Sequence, residues 1–306
     1  PNTNYVYRAM TLATTTGTFT ICLQAPPTPP ANDQCAGAIA IPGTGPFPHL
    51  TTVVNNTNAT DIGQPTPSCQ ANAHGSIWYN FTPACSGDYR FSTCQTDAPA
   101  SGAIDHVLVV ATGSCGGAFT EVACNDDATC AASNLSSIIP TISLTAGTTY
   151  RVIAYTYDVA RGNIQIQTSM LAPTITSFSS ANACTGSGLV IYGTNLACAT
   201  SVTIGGTPAT ITANTSTSVT VTLGSGTTGP AVITCQAGTV SSAGGAGNVT
   251  IGQPASATFT AVDNCANEQF SVQVNVTSLG SGSSATLIYS ENGVALSTTV
   301  GLGLTT

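Results

Sequence analysis

The sequence predicts an all-β protein built from tandem β-sandwich domains, and three observations carry that prediction. Apolar and polar residues alternate with period two in Tyr150-Arg151-Val152-Ile153-Ala154-Tyr155, Ser218-Val219-Thr220-Val221-Thr222-Leu223 and Phe270-Ser271-Val272-Gln273-Val274-Asn275-Val276, as half-buried strands require. No segment of useful length places apolar residues at i, i+3, i+4 and i+7, and glycine and β-branched residues interrupt every stretch. Twelve cysteines are spread along the chain with no C-x2-C pair and only three histidines, so disulfides are expected rather than zinc sites. At 306 residues the chain has room for two or three domains with separate cores.

Charged residues are 5% of the sequence, against about 25% in ordinary globular domains. Lysine is absent, and the cations are Arg8, Arg90, Arg151 and Arg161. With a formal charge of -8, no basic patch is available to neutralise phosphates or anionic lipid, so nucleic acid is excluded as an expected partner. The 42% of hydrophobic residues, set in alternating patterns, argues against disorder. No run of about 18 apolar residues predicts a membrane span. Disulfides and the missing span together predict an extracellular or cell-surface location. No leader is visible, and the opening Pro1-Asn2-Thr3 reads as the interior of a domain, which makes a trimmed piece of a longer protein the expectation.

An internal repeat appears at an offset of 145 positions: Tyr5 falls on Tyr150, Ala9 on Ala154, Thr11 on Thr156, Gly17 on Gly162, and Phe19-Thr20-Ile21 on Ile164-Gln165-Ile166. Residues 1–24 are therefore expected to be the last strands of a preceding copy. The proline-rich stretch 25–30 cannot join a ladder and reads as a linker. Further boundaries are expected at Leu171-Ala172-Pro173 and near Gly252-Gln253-Pro254, giving domains at 31–171, 173–252 and 255–306. About 50 residues is short for a complete sandwich of the immunoglobulin kind, so the last unit is expected to be partial.

Within 31–171, Asn32-Asp33-Gln34-Cys35-Ala36-Gly37-Ala38-Ile39, Ile77-Trp78-Tyr79-Asn80-Phe81-Thr82, Ser114-Cys115-Gly116-Gly117, Ala123-Cys124-Asn125-Asp126-Asp127 and Gly147-Thr148-Thr149-Tyr150 occur in that order. This segment resembles the bacterial pre-peptidase C-terminal type of β-sandwich, a jelly-roll, CUB-like fold, in the cysteine-bearing form repeated in large surface proteins of Bacteroidetes-like bacteria. Residues 173–252 resemble an IPT/TIG Ig-like domain through Pro173-Thr174-Ile175-Thr176-Ser177-Phe178, Val190-Ile191-Tyr192-Gly193-Thr194-Asn195-Leu196 and Ser201-Val202-Thr203-Ile204-Gly205-Gly206-Thr207-Pro208-Ala209. Residues 255–306 are similar to the opening strands of another Ig-like module.

Asp126 and Asp127 follow a strand, and Asp105 opens a neighbouring one; together they offer the oxygen ligands that calcium prefers. The resemblance also implies calcium near this loop. The competing reading is a solvated turn in which Asn and Asp cap their own backbone, and both readings stand at this stage; no other cofactor is expected. Asp105-His106 does not read as catalytic, because adjacent strand residues point to opposite faces. His49 and His74 have no partner close in sequence, and no enzyme activity is expected. Trp78, a candidate platform for sugar, shares its strand face with Asn80 and is expected in the core, as the resemblance also implies. Spacing predicts the disulfides Cys115–Cys124 and Cys85–Cys94 across hairpins and Cys35–Cys69 closing a longer loop, with Cys130 left without a mate. Asn80-Phe81-Thr82, Asn134-Leu135-Ser136, Asn214-Thr215-Ser216 and Asn248-Val249-Thr250 match the glycosylation sequon, as chance alone produces in so Asn- and Thr-rich a chain.

A surface this poor in charge needs either dense glycosylation or packing against neighbours. The function expected is that of an extracellular structural or adhesive protein, part of a cell-surface filament or giant adhesin. Copies of the chain would be its partners, joined where a strand fills an open sheet edge, and glycans or cell surfaces are further candidates. The alternative is a non-catalytic, carbohydrate-binding tail of a secreted hydrolase.

Overall fold

In a computed structural model, the structure describes residues 27–94, 104–130, 134–226, 228–264, 269–291 and 294–305. The expected strands of residues 1–24, the start of the linker, Cys22 and Cys265 lie outside these residues. Among the described residues there are strands and two short 3-10 turns but no α-helix, as the alternating patterns predict. Among the described residues no helix is long and apolar enough to cross a membrane.

The first sandwich has one sheet in the order Ile39–Ile41, Ala73–Phe81, Tyr150–Tyr157, His106–Gly113, Phe119–Asn125, and a second in the order His49–Leu50, Gln167–Met170, Gly87–Ser92, Ile138–Leu144. The first pair of the first sheet is parallel and its other pairs are antiparallel. Ile77, Tyr79, Phe81, Leu108, Val110 and Val152 face the second sheet's Tyr89, Phe91, Ile139 and Ile142 in one core. Phe81 packs edge to face on Tyr89 and Phe91, with centroids 5.2 and 5.5 Å away, the arrangement that aromatic quadrupoles favour.

The opposite face of the first sheet is buried too. Trp78, Val107, Val109, Ala111, Ile153 and Tyr155 form a second apolar layer, covered by Cys35, Ala38, Phe119 and Cys124. Burial on both faces explains why Val107-Leu108-Val109-Val110-Ala111 is apolar without interruption. Trp78 has no exposed surface and its Nε1–H donates to Ser76 Oγ at 3.0 Å. No sugar can stack on it.

The second sandwich follows a path of hydrogen-bonded strands: Thr174–Phe178, Gly188–Thr194, Ser218–Thr222, Thr207–Asn214, Ala199–Ile204, Gly229–Cys235, Asn248–Gly252 and Asn182–Cys184, with Gly238–Ser241 added beside Gly229–Cys235. Its inward residues are aliphatic: Leu189, Ile191, Val202, Ile204, Val219, Val221, Ala231, Ile233 and Val249. Beyond it, Ser256–Asn264, Gln269–Ser278 and Gly303–Thr305 form a small sheet, and Ala285–Glu291 pairs with Val294–Val300. These last strands share a small buried cluster of Val274, Val276 and Val300.

The cysteine pairing differs from the expectation. The structure joins Cys35–Cys115, Cys69–Cys124, Cys85–Cys198 and Cys94–Cys130, with Cα separations of 5.4, 5.8, 5.7 and 5.5 Å. The Cys115–Cys124 expectation fails because Cys115 sits in the turn after His106–Gly113, whereas Cys124 lies five positions past Phe119 on the returning strand. That is about 17 Å at ~3.4 Å per residue, and a disulfide needs Cα atoms within about 7 Å. Cys85–Cys94 fails for the same reason, since the two stand at opposite ends of the extended Gly87–Ser92 strand. Cys35–Cys69 fails because each meets one of the cysteines thus released. Cys130, expected without a mate, pairs with Cys94.

Cys85–Cys198 crosses from the first sandwich to the second. The junction around it is built by Asn195, 5% exposed, whose Oδ1 accepts from Asp88 N at 2.8 Å while its Nδ2 donates to Ala172 O. Asn195 holds a φ of 57°, the left-handed conformation that asparagine tolerates better than most residues. Gln236 Nε2 donates across the same junction to Thr44 O.

Candidate metal centre

Strand pairing assembles the acidic residues. His106–Gly113 and Phe119–Asn125 form an antiparallel hairpin with Leu108 opposite Asn125, so the start of the first strand lies beside the end of the second. Asp105 precedes the one, Asp126 and Asp127 follow the other, and one carboxylate oxygen from each lies within 4.8 Å of the others. Asn125 belongs to the same sequence motif but turns elsewhere: its Oδ1 accepts from Ile138 N at 2.7 Å and ties the hairpin to the second sheet. Gln70 Nε2 donates to Asp126 Oδ2 at 2.9 Å, and Ser137 Oγ meets the carbonyls of His106 and Asp126. Two disulfides, Cys69–Cys124 and Cys94–Cys130, hold the segments on either side.

Burial and like charge oppose ionisation of the cluster. Burial, then the charges of Asp126 and Asp127, push Asp105 up from 3.8 to about 6. Asp126 is also raised, by burial first, partly offset by the Gln70 hydrogen bond and reinforced by Asp127. Asp105 Oδ1 and Asp126 Oδ1 are buried atoms with no hydrogen-bond partner among the described residues. Carboxylate oxygens that are desolvated, crowded by like charge and left without donors fit a hard divalent cation. A solvated turn would instead leave these oxygens in water or on backbone N–H groups.

The other candidates separate in space. His106 is 1% exposed within the first sandwich, while the Asp105 carboxylate belongs to the acidic cluster. His49 lies on an edge strand opposite Thr168. His74 has a partner that its immediate neighbours in sequence do not reveal: Nδ1 lies 2.7 Å from Asp61 Oδ2, and Asp61 Oδ1 accepts from Gly75 N at 2.8 Å. Burial pushes Asp61 up, but the Gly75 N–H, His74 and Arg161 together outweigh it and hold the carboxyl below its ordinary value. Gly75 is needed here, with a φ of 61° and Arg161 so close that a Cβ would stand 2.5 Å from its Nε. Among the sequons, Asn214 is engaged as a donor to Ala197 O at 2.8 Å.

The comparisons with known proteins bear on the second half of the chain. Residues 173–289 match the IPT/TIG domain family. The match starts at the expected domain boundary, continues past the one expected near Gly252, and leaves the first sandwich uncovered. No curated protein matches the chain. Among solved structures, SGBP-B from a complex xyloglucan utilization locus in Bacteroides uniformis is 18% identical, covering 69% of this chain and 61% of its own, with a TM-score of 0.26. The plexin A4 extracellular region is 9% identical over 71% of this chain and 30% of its own, with a TM-score of 0.26. The gamma-CGTase of Alkalophilic bacillus clarkii is 15% identical over 40% of this chain and 19% of its own, with a TM-score of 0.23. The chain thus spans between 19% and 61% of these proteins, and likenesses at such scores add nothing to the IPT/TIG match. That match and four disulfides fit an extracellular Ig-like protein.

Proposed function

We propose that this chain is a stiff structural or adhesive element of the cell exterior, part of a filament, array or giant adhesin, whose first sandwich is tightened by calcium. The observation that carries the reading is the junction between sandwiches. A covalent bond from Cys85 to Cys198, reinforced by Asn195 and Gln236, removes the hinge freedom that serial domains have by default. With charged residues only 5% of the sequence, the surface falls far below the charged share of ordinary dispersed domains, which favours burial of its faces against further copies. Asp105, Asp126 and Asp127 would hold the cation, which would supply positive charge to three crowded carboxylates.

Negative-stain microscopy of the native material, with calcium and with a chelator, tests this. Uniform fibres or ordered arrays support the reading. Dispersed single particles at high concentration in both conditions overturn it.

A further inference from the structure

Strand edges are treated differently in the first sandwich and in the C-terminal sheet. Along Ala73–Phe81 the short Ile39–Ile41 strand pairs only with Tyr79, Asn80 and Phe81, and loop side chains stand in for a strand before it. Gln64 Nε2 donates to Ala73 O at 3.2 Å, Gln64 Oε1 accepts from Ser76 N at 3.2 Å, and Asn56 Nδ2 donates to Gly75 O at 2.9 Å. Ser256–Asn264 has no such cover. It pairs with Gln269–Ser278 on one side, and among the described residues no strand lies on its other edge. Natural sheets guard an edge of this kind with lysine, proline, a bulge or an inward charge. This chain has no lysine, residues 257–262 contain neither proline nor charge, and the register shifts only at the first residue, between Ser256 and Ala257. Phe259, which lines the groove beside Ala257, is left 63% exposed.

We propose that this edge pairs with the same edge of a second copy of the chain, antiparallel about a two-fold axis at Thr260. The charge distribution selects a copy over other partners. Between Arg161 and Asp263 the sequence holds no Asp, Glu, Lys, Arg or His, so a charged partner would bury its charges against nothing that answers them, whereas a copy brings the same neutral surface. The strand is also complementary to itself. Centred on Thr260, all nine residues of Ser256–Asn264 overlap, and Asp263 falls opposite Ala257 rather than opposite its own copy. Phe259 then stands opposite Ala261, and the two Phe259 rings become diagonal neighbours within reach of each other. The free ladder groups of both edges are satisfied, and two three-stranded sheets join side by side. Such an edge contact buries less than the roughly 1,200 Å² at which stable complexes begin, so the pair forms at high protein concentration and dissociates in dilute solution. The inference rests on the reading that copies of the chain are its partners, and it names where they meet.

Sedimentation velocity of the whole chain over a range of concentrations tests the pairing. Thr260 is exposed and alternates to the face opposite Phe259, so a charge there leaves the fold intact. Thr260→Lys and Thr260→Glu each set like charges directly across the two-fold axis and are expected to weaken dimerisation roughly fivefold. An equimolar mixture of the two is expected to restore it, because lysine then meets glutamate. A wild type that stays monomeric up to its solubility limit would overturn the proposal and leave the edge to a different partner. Dimerisation of equal strength in all three proteins, with no gain on mixing, would overturn it too; copies would then meet elsewhere, and the filament reading would stand. Dimers that depend on residue 260, in material that shows no fibres or arrays under the microscope, would uphold this pairing and remove the filament reading.

Discussion

The first sandwich and the C-terminal strands both follow the same alternation of small polar and apolar residues, yet they are stabilised very differently. In the first, a sheet buried on both faces packs aromatic rings on one side and Trp78 on the other, and three internal disulfides close it. In the second, Val274, Val276 and Val300 are buried, while Phe259, Ile288 and Leu302 are 63%, 75% and 67% exposed. An open groove of about 230 Å³ runs between its strands, lined by Ala257, Phe259, Leu287 and Val300 among others. Period-two alternation suffices to form hairpins; covering both faces is what turns them into a stable body.

The largest expected difference comes from deleting one ring in each region. Phe81→Ala empties a fully buried site and is expected to cost about 3–5 kcal/mol in denaturant unfolding. Phe259→Ala removes an exposed ring and should stay within about 0.5 kcal/mol. Comparable losses from both would mean that the C-terminal strands are far better packed than their exposure indicates. Next in size is the Cys69–Cys124 bridge, whose double replacement by alanine is expected to lower stability by about 2–4 kcal/mol. That loss should appear in the unfolding of the first sandwich and leave the C-terminal strands unchanged in hydrogen exchange.

Much of this contrast is legible in the residues. The alternation in 150–155 and 218–223, the inward Trp78 and the start of the IPT/TIG match at 173 follow from local pattern and motif. The cysteine partners do not. A spacing of nine or so residues looks like a hairpin's span only until the intervening residues are drawn out as a strand, which carries Cys85 and Cys94 apart and brings Cys94 to Cys130 from a distant loop. The acidic cluster was readable as a set, because Asp105 and Asp126-Asp127 flank neighbouring strands, but the fate of Asn125 depends on Ile138 in another sheet. Asp61 and His74 could have been suspected only from the turn signals between them. Their pairing follows from Gly75, whose N–H shares the same carboxylate.

The proposed calcium site sharpens the comparison further, since it would confer on the first sandwich a ligand-dependent stability. At calcium a hundred times above its Kd, about 2.7 kcal/mol of added stability is expected, read as a rise of the first sandwich's melting temperature. Asp105→Asn should abolish most of that rise. A melting temperature indifferent to calcium in the wild type would leave the carboxylates as a surface turn.

The smallest effect is the pH dependence of the cation-free protein, and its sign discriminates. Asp105 is raised from 3.8 to about 6 in the folded chain, so between these values the native state binds more protons than the unfolded one. Stability from this group is therefore complete below about pH 4 and is lost as pH rises through 6. Asp61, held below its ordinary value, acts in the opposite sense and in a lower window, losing its contribution as pH falls through its folded-state value. Thermal melts in chelator should show the first sandwich weakening from pH 4 to pH 6, with Asp105→Asn flattening that slope while leaving the acid limb intact. Calcium should flatten it as well, because a bound cation favours the ionised carboxylate that burial and its neighbours oppose. A slope that survives both the substitution and the metal would place its origin in some group other than this cluster.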